Sequence, residues 1–376
     1  MVKKKTDIGN PFIVHGYAGP EYFCDREKET QTMVSSLQNG WNVTLIAPRR
    51  LGKTGLIHNV FHEIRNKDRD ALCIYLDIFS TRCLQDFIHA LGKGIFEELY
   101  SHGEKMLKKM LSVIARCRPV ISMDALTGMP TVTFDIVPST EWQTLDDIFA
   151  NMTKSGKRCY IAIDEFQQIA QYPEAGTEAM LRSHIQFMSN VGFIFAGSSQ
   201  HLMSEMFMSA KRPFYNSTRI MSLLPIDRDV YFDFAAKFFK RKGDSLSGET
   251  FDYVYDMFDG HTWYVQTVLN RLYTLSGEAD KDTATSVVCR VVDENTPVYQ
   301  TLISMLPNQQ LNLLRAIARE GVVAAPTNGT FIARHNLKAA STVNSAMKML
   351  VAKELVYKSE KGYMVYDRFF SLWLSR

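Results

Sequence analysis

The first 225 residues of the chain alternate short apolar runs with longer amphipathic stretches. Five runs are almost continuously apolar over about five to eight residues, which is typical of strands buried on both faces of a parallel sheet. They are Val43–Ala47, Leu72–Phe79, Cys159–Asp164, Gly192–Ala196 and Arg219–Leu224. Amphipathic patterns such as Thr54–Asn66 and Thr177–Ser189 predict helices between them. This alternation predicts an open α/β sheet with right-handed crossover connections.

Two further segments differ from this pattern. Residues 80–158 separate the second and third runs, and we interpret them as an insertion on the sheet. They show helical patterns over 84–100, 104–115 and 141–154 and a strand-like pattern over 131–137. Residues 226–300 show only helical patterns, over Asp227–Arg241, Thr250–Phe258, Trp263–Ser276 and Lys281–Asn295. The predicted organisation is a core over residues 1–225, a helical segment over 226–300 and a third domain over 301–376.

Residues 301–376 change character again and predict a winged helix-turn-helix domain. A helix over 309–320 ends at Gly321, and a short helix lies near 331–338. A third helix runs from Ser341 to Lys353, with Ser341 or Thr342 as its cap. Residues 355–367 predict a hairpin that turns at 360–362. Apolar side chains at helical spacing predict a buried stripe on the third helix: Val343, Ala346, Met347, Leu350 and Val351.

The outward face of that third helix offers few groups that read DNA bases. Base edges are usually read by Arg, Asn or Gln, and this face has only Asn344 and Lys348. Residues 301–376 nevertheless carry ten Lys or Arg against four Asp or Glu, whereas the whole chain has a net charge of +3. The surplus predicts weak, non-specific contact with nucleic-acid phosphates. The lysines expected to make it are Lys338, Lys353, Lys358 and Lys361. A protein partner for this domain is the alternative.

Composition excludes several classes of protein. Apolar residues make up 46% and charged residues 22% of the 376 positions, which are values of a globular chain and not of a disordered one. No apolar run reaches the length of about 18 residues that a membrane span needs. The six cysteines form no CxxC pair and no cluster with histidine, which argues against disulfides and zinc. The N-terminal MVKKKTDIGN has no apolar region behind its lysines, so we expect a cytoplasmic protein.

The segment VTLIAPRRLGKTGLI at residues 43–57 places a buried strand, a loop and a helix start in succession. That is the context of a phosphate-binding loop, in which backbone N–H groups and a helix N-terminus point at phosphate oxygens. Lys53 is expected to bind the β- and γ-phosphates and the Thr54 hydroxyl to bind Mg²⁺. Ala47 stands where the usual motif has glycine. The candidate nucleotide-binding residues are Ala47, Pro48, Arg49, Arg50, Leu51, Gly52, Lys53, Thr54 and Gly55.

A second chemical signal is CYIAIDEF at residues 159–166. Its apolar run delivers Asp164 and Glu165 to the carboxyl end of a strand, the edge at which open α/β sheets bind ligands. Asp164 is a candidate Mg²⁺ ligand, directly or through water. Glu165 is a candidate catalytic residue that orients or deprotonates the attacking water, and Lys53 is the other. Asp77 ends the second strand at the same edge and either joins the magnesium network or caps the turn.

Together these motifs resemble those of the archaeal-type ATPases within the STAND and AAA+ groups of P-loop NTPases. The resemblance covers nearly the whole chain and includes FCDREKE (23–29), IDEFQQI (163–169), FAGSSQ (195–200), GHTWYVQTVLNRLY (260–273) and GYMVYDRFFSLWL (362–374). It implies ATP as the nucleotide, a parallel sheet of order 5-1-4-3-2, a helical lid over 226–300 and a C-terminal winged helix. The lid segment departs from the Gly-x-Pro pattern of this group, because Thr262 stands in the proline position.

The resemblance also implies a role for the segment before the first strand. Phe23 and Arg26 are the residues expected to lie near the adenine and ribose in this family. The same segment is also a plausible helix start from its residues alone. In that interpretation Asp25 is the cap and Glu29 reaches back to the start of the helix. The two roles are compatible with each other.

Residues after the fourth strand carry further implied roles, each with a structural alternative. Ser198 is either a sensor of the γ-phosphate or a turn serine. Arg212 or Arg219 either completes the site of a neighbouring subunit or forms a structural ion pair. In the lid, His261 and Trp263 either cover the nucleotide or pack in a core.

The resemblance implies an ATP-binding protein that hydrolyses ATP slowly to ADP and phosphate, with Mg²⁺ as cofactor. The nucleotide state is expected to act as a molecular switch on the lid and the winged helix. A DNA-binding regulator or initiator-like protein, with ATP mainly structural, is the first alternative. A protein-interaction scaffold without useful turnover is the second. The oligomeric state and the biological partner stay open at this point.

Overall fold

The computed structural model describes residues 8–102, 118–123, 130–134, 140–275, 277–359 and 361–376. These residues form two compact units. The first contains residues 13–231 together with 261–263, and the second contains the rest of the described chain. The helix predicted over 104–115 and the end of the strand pattern at 135–137 lie outside the described residues. The domain boundaries expected at residues 225 and 300 stay predictions.

The elements of the described chain are as follows. The strands are β1 (Val43–Ile46), β2 (Leu72–Asp77), β3 (Pro119–Met123), β4 (Pro130–Phe134), β5 (Cys159–Asp164), β6 (Val191–Gly197), β7 (Arg219–Ser222), β8 (Ser245–Leu246), β9 (Glu278–Ala279), β10 (Val356–Ser359) and β11 (Gly362–Val365). The α-helices are α1 (Glu27–Gln38), α2 (Lys53–Lys67), α3 (Leu84–Ser101), α4 (Glu141–Lys154), α5 (Thr177–Ile185), α6 (Gln200–Met208), α7 (Arg228–Lys242), α8 (Gly248–Met257), α9 (Thr262–Thr274), α10 (Lys281–Glu294), α11 (Thr296–Ser304), α12 (Asn308–Glu320), α13 (Gly329–Arg334), α14 (Ala340–Ala352) and α15 (Arg368–Ser375). Short 3-10 helices lie at Pro20–Tyr22 and Phe166–Gln171.

Five strands of the first unit form a parallel sheet in the order β2-β5-β6-β1-β7. Numbered along the chain as five strands, this is the order 5-1-4-3-2 that was predicted, and the prediction is confirmed. β1 and β5 lie inside the sheet and are buried throughout. The predicted burial on both faces is wrong for β7, which is mostly exposed. The reason is that β7 pairs only with β1 and forms an edge of the sheet.

Alternate residues of the central strands face two separate hydrophobic cores, as the pleat of a strand requires. On β5, Tyr160 and Ala162 pack in the core that contains the apolar faces of α1 and α2. Ile161 and Ile163 of the same strand pack in the core that contains those of α3 and α4. Phe195 on β6 is fully buried in this second core, and its replacement by alanine is expected to cost about 3–5 kcal/mol of stability.

The insertion between β2 and β5 carries α3, α4 and an antiparallel hairpin of β3 and β4. Sequence analysis predicted a strand over 131–137, whose described part belongs to β4, but it missed β3. Val120 on β3 is 56% exposed. The hairpin therefore lacks the continuous apolar run by which buried strands were recognised.

The four helices predicted over residues 226–300 are present as α7 to α10. The expectation of a purely helical segment is wrong, because β8 and β9 form a short parallel pair. Helix α11 was also missed, although Pro297 in its first turn is compatible with a helix start. Proline lacks an N–H group, and the first N–H groups of a helix have no partner within it.

Residues 308–376 contain α12, α13, α14, the antiparallel β10–β11 hairpin and α15, as a winged helix requires. The predicted buried stripe on α14 is confirmed for Val343, Ala346, Met347 and Leu350. It is wrong for Val351, which is 41% exposed at the last turn. The predicted caps are also wrong, because α14 begins at Ala340 after Ala339 and has no side-chain cap. Phe369, Phe370 and Leu374 on α15 are buried.

Candidate functional site

The loop between β1 and α2 lies at the carboxyl edge of the parallel sheet. Its backbone takes the left-handed conformation at Arg50 and again at Gly52, with φ of 71° and 93°. Gly52 immediately precedes α2, so glycine supplies the backbone angle that turns the chain into the helix. The first N–H groups of this 15-residue helix have no internal acceptor. The loop and helix start can therefore bind an anion.

Lys53, the first residue of α2, brings a positive charge to this loop. Its side chain is only 6% exposed, and Nζ donates to the carbonyl oxygen of Ala47 across 3.1 Å. Burial lowers the pKa of Lys53; the carboxylates of Asp164 and Glu165 act in the opposite direction, and the charge of Arg49 lowers it further. A buried ammonium group of this kind is stabilised by an added anion such as a phosphate.

One carboxylate oxygen of Asp164 accepts hydrogen bonds from two hydroxyl groups. Thr54 Oγ1 donates to Asp164 Oδ2 across 3.1 Å, and the Tyr75 hydroxyl donates to the same oxygen across 2.8 Å. Burial raises the pKa of Tyr75, and the charge of Asp164 raises it further, so the phenol stays protonated. Sequence analysis missed Tyr75. The strand register could have indicated it. Tyr75 lies two positions before Asp77, so the two side chains share one face of the sheet, and Asp77 pairs with Asp164.

Thr54 and Asp164 are suited to Mg²⁺, which prefers oxygen ligands. A hydroxyl and a carboxylate already lie within hydrogen-bond distance of each other here. Among the residues that the structure describes, no group of three or more His, Cys, Asp or Glu side chains could hold a metal ion. A magnesium ion bound at Thr54 and Asp164 would therefore need phosphate and water oxygens to complete its coordination.

Glu165 follows β5 directly and is held by three donors on one oxygen. Glu165 Oε2 accepts hydrogen bonds from Ser198 Oγ at 2.6 Å, from Gln167 Nε2 at 2.6 Å and from Ser198 N at 3.3 Å. Burial acts to raise the pKa of Glu165, but the Ser198 bond, the charge of Lys53 and the Gln167 bond together hold it below its usual value. The carboxylate is thus ionised at neutral pH and able to accept a proton.

Gln167 was not singled out in the sequence, although it lies two residues after Glu165. Its side chain needs the small residue at the end of β6, because a Cβ at Gly197 would collide with Gln167 and with Met203. Glu165 itself takes the left-handed conformation, with φ of 57°. This conformation is uncommon for a residue other than glycine, and residues held in it are frequent at functional sites.

The segment before α1 has two different roles. Phe23 packs beside the P-loop helix, since a Cβ at Gly55 would lie 3.1 Å from its ring. Arg26 is buried, pairs with Glu29 at 2.8 Å and donates to the carbonyl oxygen of Leu224. Its guanidinium group therefore holds α1 to the end of the sheet. The predicted Asp25 cap is wrong, because Arg26 occupies the position before α1 and no side chain caps it.

The two loop arginines stack on aromatic rings. The guanidinium carbon of Arg49 lies 5.0 Å from the centre of the Phe79 ring, and that of Arg50 lies 4.3 Å from the Trp263 ring. The backbone N–H of Trp263 also donates to the carbonyl oxygen of Arg50 at 3.0 Å. Trp263 and His261 are half-buried, so Trp263 lies against the loop and is not a core residue.

Asp77 takes the turn role of its two predicted alternatives. One of its carboxylate oxygens accepts from the Phe79 backbone N–H at 2.9 Å. Burial raises the pKa of Asp77 despite that bond, and the charges of Asp164 and Glu165 raise it further. The pKa of Asp77 therefore depends on the charges at this sheet edge, and its side chain caps the turn after β2.

Neither candidate arginine lies among these groups. Arg212 pairs with Glu178 at 2.8 Å and approaches Glu205 at 3.8 Å, which is the structural ion pair of the two alternatives. Arg219 begins β7 opposite Val43, at the amino edge of the sheet, and donates to Ser36. Arg219 thus lies away from the nucleotide site of its own chain, and its role towards a neighbouring subunit stays a prediction.

Comparison with known proteins assigns the chain to a family. Residues 23–268 match the model of an ATPase domain found predominantly in Archaea. The chain belongs to this ATPase family. Residues 297–376 match the model of a probable winged helix domain. The resemblance drawn from the motifs is confirmed at this level, and the chain is an ATPase-family protein with the P-loop NTPase fold and a C-terminal winged helix.

Relatives agree with this assignment. An uncharacterized ATP-binding protein of Methanocaldococcus jannaschii is 26% identical over 274 residues, which cover 66% of this chain and 70% of the relative. The Walker-type ATPase of Pyrococcus abyssi has a TM-score of 0.67 at 17% identity, covering 97% of this chain and 100% of that one. The Aeropyrum pernix ORC1 protein, solved in complex with DNA, has a TM-score of 0.53 at 13% identity, covering 95% and 93%. In the described part of the chain, no helix combines the length and apolarity that crossing a membrane requires.

Proposed function

We propose that this ATPase-family protein binds ATP with Mg²⁺ and hydrolyses it slowly to ADP and phosphate, and that its nucleotide state acts as a molecular switch. The observation that carries the proposal is the convergence of Lys53, Thr54, Asp164 and Glu165 at one sheet edge. Thr54 and Asp164 lie 3.1 Å apart, and the charge of Lys53 helps to keep Glu165 ionised. Phosphate binding, metal binding and proton acceptance are thus available within a few side chains.

Binding of the triphosphate follows from the loop and its lysine. The backbone N–H groups of residues 49–55 would cradle the phosphates, and Lys53 would exchange the Ala47 carbonyl for phosphate oxygens. Thr54 and Asp164 would hold Mg²⁺, which when bound neutralises charge on the β- and γ-phosphates. Phe23, beside Gly55, is the residue proposed to contact the base.

Hydrolysis requires Glu165 to accept a proton from water. Its Oε2 is bound by Ser198 and Gln167, so this oxygen is not free to act. Hydrogen bonds to a charged group contribute about 1.5–3 kcal/mol each. Accepting the proton at Oε2 therefore costs the 2.6 Å bond from Ser198 unless Ser198 gains another acceptor. We propose that a γ-phosphate supplies that acceptor, which links release of Glu165 to the presence of ATP.

A matched pair of variants tests this proposal. Glu165→Gln should still bind ATP but should release phosphate about 10²–10⁴-fold more slowly, because its amide cannot accept the proton of water. Glu249→Gln, which changes an exposed carboxylate on α8, should hydrolyse ATP at the wild-type rate. Equal rates in wild type and Glu165→Gln would show that Glu165 has no catalytic role and is only a carboxylate at the end of a strand. No turnover in wild type, with ATP binding intact, would favour the scaffold alternative.

Nucleic-acid binding through the winged helix is the second candidate. The net charge of residues 301–376 favours it, and Asn344 and Lys348 on α14 are exposed. Lys353, however, donates to Gln310, and Lys358 lies 5.7 Å from the centre of the Tyr363 ring. Two of the four lysines expected to contact phosphates are therefore already engaged within the domain, and α14 exposes few groups that read bases. We therefore expect weak contact with phosphates and no reading of bases. ATP turnover measured with and without duplex DNA separates a DNA-dependent regulator from a switch that acts on a protein.

A further inference from the structure

A cleft lies at the amino edge of the parallel sheet, opposite the P-loop. Residues that immediately precede or begin the parallel strands meet there, because parallel strands all start at one edge. Asn42 precedes β1, Arg158 precedes β5, and Arg219 begins β7. The cleft has two adjoining parts of about 610 and 510 Å³, which share Asn39 and Trp41 in their walls. Volumes of this size accommodate small-molecule or nucleotide-sized groups.

The indole of Trp41 is exposed in this cleft because of how α1 ends. Trp41 N donates to Ser36 O, and Gly40 N donates to Leu37 O, with Gly40 at φ 77°. This is the Schellman arrangement, in which the residue in the Trp41 position usually packs on the helix. That packing position is here occupied by Ser36, which offers no apolar surface. Trp41 consequently remains 59% exposed on a rigidly hydrogen-bonded turn.

The charge of the cleft is positive. Arg158 and Arg182 line the larger part, and Arg219 lines the smaller. No Asp or Glu is present among the described residues that line either part. Arg158 and Arg219 are exposed, and Arg182 is half-buried beside Gln186, to which it donates at 3.1 Å. Such a wall favours an anionic ligand, and the guanidinium groups match phosphate oxygens in geometry.

We propose that this cleft binds single-stranded nucleic acid, with a base stacked on Trp41 and phosphates contacted by Arg158, Arg182 and Arg219. A basic groove combined with an exposed aromatic platform is the physical basis of single-strand binding. A duplex does not fit the same chemistry, because its bases are stacked inside and unavailable to an indole. Arginine and tryptophan are also frequent at protein interfaces, and a protein partner is therefore one of the outcomes that the test distinguishes.

The site is independent of the proposed ATP hydrolysis, because it lies at the opposite sheet edge and uses none of the same residues. Its test is the anisotropy of a fluorescein-labelled oligothymidine of about fifteen nucleotides, long enough to cross one site, titrated with the full chain at several salt concentrations. Oligothymidine forms no duplex with itself. Wild type and Lys53→Ala should bind it equally.

Trp41→Ala should weaken oligonucleotide binding by about 5- to 150-fold, the effect of losing one base–aromatic stack. Its melting temperature should stay unchanged, because the indole is largely exposed. Tyr100→Ala, which removes another exposed aromatic from outside the cleft, should bind as wild type does. The double variant Arg158→Gln/Arg182→Gln should reduce the magnitude of the log–log salt slope by about 1.4, at about 0.7 per phosphate contact on a single strand.

Several results would overturn this site. The first is that wild type does not bind the oligonucleotide, and the second is that Trp41→Ala binds it as tightly as wild type does. Loss of binding only in the Lys338/Lys353/Lys361 triple alanine variant would move the interaction to the winged helix. Competition by thymidine monophosphate as strong as by the oligonucleotide would replace a strand site with a mononucleotide pocket. Sedimentation measures whether Trp41→Ala dissociates an oligomer. If it does, and oligonucleotide affinity is unchanged, the cleft is a protein interface.

Discussion

The carboxyl edge of the sheet and the outward face of α14 both carry charge, but in different environments. At the sheet edge, Lys53 and Asp164 are buried and hydrogen-bonded. On α14, Asn344 and Lys348 are exposed. Water screens exposed charges, whereas buried charges interact strongly and cost free energy when a partner is lost. A buried lysine beside carboxylates is therefore suited to chemistry, whereas an exposed lysine is suited to salt-dependent association.

The largest effect is expected at Lys53. ATP with Mg²⁺ at about 100 times its dissociation constant should stabilise the wild-type protein by about 2.7 kcal/mol. This should appear as a rise of several degrees in melting temperature. Lys53→Ala should abolish the rise, because no other group replaces the buried ammonium beside the loop. Lys93→Ala, an exposed lysine on α3, should keep it. Equal shifts in wild type and Lys53→Ala would remove the basis of the nucleotide site.

A change at Asp164 separates metal binding from phosphate binding within the site. Asp164→Asn keeps the shape of the side chain but removes the negative charge of the carboxylate that accepts hydrogen bonds from Thr54 and Tyr75. ATP affinity in the presence of Mg²⁺ should fall by about 10- to 100-fold, and affinity in the presence of a chelator should change little. Asp282→Asn on α10 serves as the exposed control. Calorimetric titration of ATP with and without Mg²⁺ measures both affinities, and an equal loss in the two conditions would contradict a magnesium role.

Ser198 is expected to change the pH dependence of hydrolysis. In wild type the pKa of Glu165 lies below its usual value, so the base stays ionised as pH falls towards that pKa and the rate falls only below it. Ser198→Ala removes a hydrogen bond that lowers this pKa. The pKa of Glu165 should rise, and the acid limb of the rate should move to higher pH. Values of kcat/KM from about pH 3 to pH 8, which report the pKa of Glu165 before ATP is bound, measure the limb.

A turn serine without this contact would leave the limb where it is in wild type. Ser209→Ala, in the turn after α6, provides the matched control, because that hydroxyl has no contact with Glu165 in the described structure. A lower rate in Ser198→Ala with an unmoved limb would mean that Ser198 acts on the nucleotide and not through Glu165.

The smallest effect is expected on the winged helix. Replacing Lys338, Lys353 and Lys361 with alanine should reduce the log–log salt slope of duplex DNA binding by about 2 to 3, at about 0.9 per phosphate contact. Preference among DNA sequences should not change, because these lysines do not read bases. Replacement of Lys93, Lys237 and Lys240 should leave the slope unchanged. Tight binding to one sequence that depends on Asn344 or Lys348 would show that α14 reads DNA.

Sequence reasoning found the groups whose chemistry is carried by local motifs. Lys53 and Thr54 follow from a strand, loop and helix in succession, and Asp164 and Glu165 follow from an apolar run that ends in carboxylates. It missed Tyr75 because a tyrosine inside a strand is usual in a core. The register between β2 and β5 is what brings its hydroxyl to Asp164. Gln167 was missed for a similar reason, since its position depends on Gly197 of the neighbouring strand.

Apolar periodicity and loop chemistry are local properties, so they were sufficient to predict the five parallel strands, their burial inside the sheet and the residues that lie at its carboxyl edge. The partners of the remaining side chains depended on how distant segments of the chain pack together. Arg212 became an ion pair with Glu178, and Arg26 became a buried tie to Leu224. Trp41 was left exposed at the other edge. The physical reason is that side-chain partners come from segments distant in sequence, and only the packing of strands and helices sets the distances between them.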